Sequence, residues 1–83
     1  MKATNFELKI ISAEKTIFSG NVKIVTLPGS LGSFSILPDH APLVSSLMPG
    51  TIEYEASGSA NNSVEIKGGF VEVNKNVVTV CVE

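Results

Sequence analysis

The sequence contains no arginine and no tryptophan, and it has one cysteine, one histidine and one tyrosine. Each shortage removes a class of function. Six lysines, interspersed with eight carboxylates at a net charge of -2, give no clustered basic face to neutralise phosphates, and without arginine the side chain best suited to reading guanine edges is missing. Nucleic acid is therefore not an expected partner. A single cysteine cannot close an internal disulfide and fits a reducing compartment. One histidine and one cysteine cannot supply the four ligands of a structural zinc, and the carboxylates are scattered along the chain, so no metal and no cofactor are expected. No window reaches the ~20 apolar residues that a membrane-spanning helix requires. The start, MKATNFELKI, has neither a long apolar run nor a small-residue cleavage pattern, and the chain is expected to be soluble and intracellular. Helical i, i+3, i+4 periodicity, internal repeats and interdomain linkers are also missing.

What remains is alternation. Phe6, Leu8 and Ile10 alternate with Glu7 and Lys9, the signature of a strand with one wet face. Ser12 to Lys15 is a polar break. Thr16 to Leu27 is β-rich, and Gly20-Asn21 within it predicts a bulge or bend. Ile52, Tyr54 and Ala56 alternate with Glu53 and Glu55, and Val64 and Ile66 with Glu65 and Lys67; Ser57 to Asn62 between them reads as a loop. Gly68-Gly69 is a corner, Val71 and Val73 flank Glu72, and Asn74-Lys75-Asn76 is a short turn whose asparagines tolerate positive φ. Val77 to Val82 is a nearly unbroken β-branched run, the pattern of a strand covered on both faces. A chain of 83 residues buries roughly 60% of its unfolded surface, enough for one core. The expectation is a single all-β domain over residues 1–83, a two-sheet sandwich or flattened barrel of about 8 to 10 short strands.

The stretch from Leu27 to Gly50 stands apart. It holds all four prolines, three of the seven glycines and the one histidine. Each Pro removes a ladder donor, so this stretch predicts short strands and tight corners around a shaped surface. Gly29-Ser30-Leu31-Gly32 lacks the Lys-Ser/Thr and the following helix of a phosphate loop, so it reads as a hairpin turn that exposes Leu31. Asp39-His40 has no nucleophile or metal partner; Asp39 is expected to cap a turn after Pro38, and His40 to donate to a backbone carbonyl or pack at an interface. Cys81, between valines, reads as a buried, inert thiol. Ala41 to Met48 is too apolar for a freely solvated edge, and part of it is expected to dock a partner.

Taken together, these residues resemble one family, the N-terminal β-sandwich domain of the epsilon subunit of F-type ATP synthases, called delta in mitochondria. The similarity is carried by Phe6 to Glu14, by Phe18-Ser19-Gly20, and by Gly29 and Gly32. It continues in Ile36-Leu37-Pro38, His40-Ala41-Pro42-Leu43, Leu47 and Pro49-Gly50, and in the closing pair Gly68 to Val73 and Asn76 to Val80. Ser35 and Asp39 stand where many members have Gly, and Ser33 where a carboxylate is often found. The resemblance implies a non-catalytic rotor subunit at the foot of the central stalk, which docks the gamma subunit onto the polar loops of the membrane c ring. It implies a peripheral position on the cytoplasmic face of the bacterial inner membrane, reached only through the complex. By the same resemblance Ser12, His40, Pro42, Ser45 and Met48 face gamma, and Ser30, Leu31 and Ser33 face the c ring. Most bacterial members continue into two regulatory C-terminal helices; from the residues up to Glu83 neither helical inhibition nor a nucleotide site is expected. The competing reading is a free-standing β-sandwich module for a peptide or carbohydrate, which would use an open strand edge or exposed aromatics. With one tyrosine and no tryptophan the carbohydrate version is poorly equipped.

Overall fold

The computed structural model describes residues 3–56 and 61–83. Eight strands form, six where alternating or β-rich runs predict them and β3 and β4 within the Pro-rich stretch: β1 (Phe6–Ile11), β2 (Thr16–Gly29), β3 (Gly32–Ile36), β4 (Leu43–Leu47), β5 (Gly50–Ala56), β6 (Asn61–Ile66), β7 (Gly69–Asn74) and β8 (Val77–Val82). They follow one hydrogen-bonded path, β1-β8-β7-β4-β2-β5-β6, with β3 on β2 and β1 returning to pair with β2. The sheet thus closes on itself as a flattened sandwich. β1, β8, β7 and β4 make one layer; β3, the second half of β2, β5 and β6 make the other. The fold is all-β, as the sequence predicts.

The core lies between the layers. Leu8, Ile10, Val22, Val25, Leu27, Ile52, Val71 and Val80 are completely buried, and no polar or charged residue is buried among the described residues. Burying such side chains contributes about 1.5–3 kcal/mol each before chain entropy is subtracted.

β2 belongs to both layers. Its first half pairs with β1 and its second half with β5 and β3. The transition occurs at a register shift, where Val22 opposes Ala56 but Ile24 already opposes Glu55, leaving Lys23 as the extra residue. A bulge of one residue inverts the inward parity of everything after it. Hence Val22 and Val25, three apart, are both buried, while Ile24 is only half-buried. The bulge expected at Gly20-Asn21 is therefore misplaced: Gly20 and Asn21 pair in regular register with Leu8 and Glu7.

Four other expectations are corrected. β8 is not covered on both faces; Val78 and Val80 are buried, while Val77, Thr79 and Cys81 on the opposite side are half-exposed. Cys81 is accordingly a half-exposed thiol and not a core residue. Of the predicted Ser57–Asn62 loop, residues 57–60 lie outside the described residues, and Asn61 and Asn62 belong to β6, opposite Glu55 and Tyr54. In the β7–β8 turn the positive φ angles fall on Lys75 (50°) and Asn76 (61°), the two-residue arrangement that matches strand twist; Asn74 remains in β7.

Candidate docking surface

The Pro-rich stretch folds into three corners. Ser30 and Leu31 form the tip of the β2–β3 hairpin, Pro38 and Asp39 the turn before His40, and Met48-Pro49 the step from β4 to β5. Leu31 is fully exposed at 106%, as expected. Its neighbours are tied down: the Ser30 amide donates to the Ser46 carbonyl at 3.1 Å, the Met48 amide to the Pro28 carbonyl at 2.9 Å, and the Ser30 and Ser46 hydroxyls are 2.8 Å apart. Gly29 permits the tight β2–β3 hairpin, because a Cβ there would meet the Gly32 carbonyl at 2.6 Å and the Phe34 ring at 2.7 Å.

His40 does what its sequence setting predicts. It is exposed, and its Nδ1 lies 2.7 Å from the Ala41 carbonyl oxygen, so the tautomer with the proton on Nδ1 donates there. Asp39 is bonded to residues far from its own turn. Its φ is 64°, a left-handed conformation that Asp tolerates. Its amide donates to Asn76 Oδ1 at 2.7 Å, its Oδ1 accepts from Asn76 Nδ2 at 2.9 Å, and its Oδ2 accepts the Ala3 amide at 3.0 Å.

β4 displays the surface this stretch supports. By strand parity Leu43, Ser45 and Leu47 turn inward, and Pro42, Val44, Ser46 and Met48 outward. Across the layer the pairing Ile11↔Cys81↔Phe70↔Ser46 forms one outward row, and Lys9↔Thr79↔Glu72↔Val44 the next. Val44, Phe70 and Met48 are exposed at 72%, 50% and 48%, and Ile11 and Cys81 are half-buried beside them. Apolar residues of four strands thus share this face as a strip interrupted on β4 by Ser46, an arrangement of the kind that marks an interaction site. A shallow groove of about 440 Å³ lies beside Phe70 at the Gly69 end of β7, bordered by Lys67, Gly68, Cys81 and Glu83. A second groove of about 400 Å³ lies at the other end, between His40-Ala41-Pro42 and Asn74 to Asn76.

The eight residues expected at the two interfaces do not form one cluster. Ser12 follows β1, three strand spacings (~14 Å) from β4, and its hydroxyl is used locally, accepting from the Glu14 and Lys15 amides at 3.3 Å each. His40 and Pro42 precede β4 and Met48 follows it. These four mark corners of the outer face. Ser45 has the inward parity, opposite buried Val71, and is half-buried, with its hydroxyl 3.2 Å from the Ser46 carbonyl. Ser30, Leu31 and Ser33 share the β2–β3 hairpin, Ser33 pairing with Pro28. Of the residues inside the corners, Val44 lies in the apolar Ala41–Met48 stretch expected in part to dock, whereas Phe70, Cys81 and Ile11 carry no docking expectation from the sequence. Phe70 could have carried one: it has the same parity as Glu72, opposite to Val71 and Val73.

The model of the ATP synthase delta/epsilon chain β-sandwich domain matches residues 5–83. The chain belongs to this family. Curated relatives named ATP synthase epsilon chain include those of Desulfosudis oleivorans, 40% identical over 98% of this chain and 61% of the relative, and of Parvibaculum lavamentivorans, 43% identical over 95% and 58%. This chain therefore spans about three fifths of the length of these delta/epsilon relatives. Among solved structures, a chain of the Euglena gracilis mitochondrial ATP synthase OSCP/F1/c-ring assembly superposes with a TM-score of 0.91 at 26% identity, over 99% of this chain and 52% of that one. A chain from the Tetrahymena thermophila mitochondrial ATP synthase central stalk and c ring shares the fold at a TM-score of 0.80 and 19% identity, over 99% and 66%.

Proposed function

We propose that this chain is a non-catalytic rotor element of an F-type ATP synthase, docking the gamma subunit and resting on the polar loops of the c ring, so that ion-driven rotation of the ring is passed to the stalk. The outer face of β1, β8, β7 and β4 meets gamma; the Ser30–Ser33 hairpin, with Leu31 at its tip, meets the ring. The chain then sits peripherally at the cytoplasmic face of a bacterial inner membrane and contacts the membrane sector only through the complex. One observation carries this reading: the exposed strip of Val44, Phe70 and Met48, bounded by the Pro-restrained corners of β4. A stiff apolar strip loses little entropy on docking and transmits torque without yielding.

The test is co-purification with the gamma subunit of the same host, comparing the wild type with a Val44→Glu, Phe70→Glu variant. Both residues are exposed on strand faces, so the β signal in circular dichroism should persist while gamma is lost. Ser45 is unsuitable as a probe, because its inward parity would confound docking with folding. Failure of the folded wild type to retain gamma would overturn the proposal and favour a free-standing peptide-binding module.

A further inference from the structure

The contact between the Pro38–Pro42 segment and the β7–β8 turn joins residues 37 positions apart. Asp39 and Asn76 exchange two hydrogen bonds, amide to Oδ1 at 2.7 Å and Nδ2 to Oδ1 at 2.9 Å, and both residues hold left-handed backbones, φ 64° and 61°. Asp39 Oδ2 also receives the Ala3 amide, and the Asn76 carbonyl receives the Glu7 amide at 3.0 Å. Three segments therefore meet at this side-chain pair, Ala3, the Pro38-Asp39 turn and the β7–β8 turn, and the Asn76 backbone joins Glu7 of β1 to them. His40 and Pro42 follow directly and form one wall of the groove of which Asn74, Lys75 and Asn76 form the other.

We infer that the Asp39–Asn76 pair is a clamp that positions the His40–Pro42 wall for partner docking, which makes Asp39 and Asn76 positioning residues of the interface although neither belongs to the apolar strip. The inference rests on the docking reading proposed above. The physical reason is preorganisation. Leu37 to Pro42 pairs with no strand, and a segment without ladder bonds must be held by side chains or be ordered at the moment of binding. The clamp supplies that order in advance, with charge-assisted bonds accepted by the Asp39 carboxylate.

Glycine substitutions separate positioning from folding, because glycine accepts φ near +60° without strain. Both variants keep the local turn; Asn76→Gly deletes both bonds of the clamp, whereas Asp39→Gly deletes the carboxylate bonds and leaves the residue 39 amide on Asn76 Oδ1. In wild type the Asp39 amide should be protected from hydrogen exchange, and Asn76→Gly should release it while amides of β1, β7 and β8 stay protected. Affinity for gamma should fall about tenfold in Asn76→Gly and by less in Asp39→Gly, and the double variant should be no weaker than Asn76→Gly alone, the non-additivity expected of one shared interaction. Unchanged affinity in variants whose Asp39 amide has been released would overturn the positioning role and leave the docking reading standing. Strictly additive losses would also overturn the clamp as a unit. Absence of gamma binding by the wild type would instead remove the docking reading and this inference with it.

Discussion

At Gly69 the β7 backbone passes so close to β8 that a Cβ would overlap the Cys81 carbonyl oxygen, at a φ of 149°. Both space and conformation exclude a side chain there. Gly69→Ala should lower unfolding stability by about 3 kcal/mol, read as a shift of the denaturant midpoint. Tyr54 makes a different kind of prediction. It is 8% exposed, its ring lies 4.4 Å centroid to centroid from that of Phe18, and burial holds its hydroxyl pKa above the ordinary 10.0. As pH rises, the unfolded chain gives up this proton first, so the folded state binds more protons than the unfolded one and stability falls. The contribution is complete below the unfolded value and is lost as pH rises through the folded one. Denaturant midpoints taken up to about pH 11 should therefore decline more steeply in wild type than in Tyr54→Phe.

Strand β4 is where individual positions combine into a surface. It pairs fully with β7 on one side, but touches β2 only where Gly29 meets Leu47. Its outward residues continue into those of β7 and β8, and this lateral continuity produces the apolar strip. Binding energy concentrates at the centre of an interface, with the surrounding positions serving to exclude water. Phe70→Ala should thus weaken gamma binding by about 2 kcal/mol, some thirtyfold in a titration by calorimetry, while Ser12→Ala at the corner should change it by less than about threefold. The Pro and Gly of the Leu27–Gly50 stretch made its corners and exposed Leu31 legible in the sequence. Which corner residues share a face was not legible, because neighbours across a sheet are set by pairing partners far apart in the chain.

The sandwich is closed by the pairing of β1 with β8. β1 and β8 pair in parallel, Glu7 with Val77 through Ile11 with Cys81, so the first and last strands lie side by side in the middle of a layer. Pairing of such sequence-distant strands carries a large loop-closure cost before it is rewarded. Refolding from denaturant should accordingly proceed in milliseconds to seconds, observable by stopped-flow tyrosine fluorescence. Salt should matter little to stability, since Lys9–Glu7 at 3.7 Å with both side chains nearly half exposed is the ion pair seen among the described residues, and such pairs contribute under about 1 kcal/mol.

Alternation of apolar and polar residues, with the β-rich runs of β2 and β8, dictated six of the strands, the all-β class and most of the core, because parity along a strand is a local property. Local chemistry likewise placed the turns at Ser30-Leu31 and Lys75-Asn76 and the carbonyl partner of His40. The Lys23 bulge was invisible, since Val22-Lys23-Ile24-Val25 can keep either parity until β5 fixes one. The half-exposed side of β8, and with it Cys81, followed from the layer leaving that side uncovered, which a β-branched run cannot disclose. The Asp39–Asn76 clamp and the strip through Val44, Phe70 and Cys81 depend on contacts between segments tens of residues apart. These exist only once β1 lies against β8 and β4 against β7.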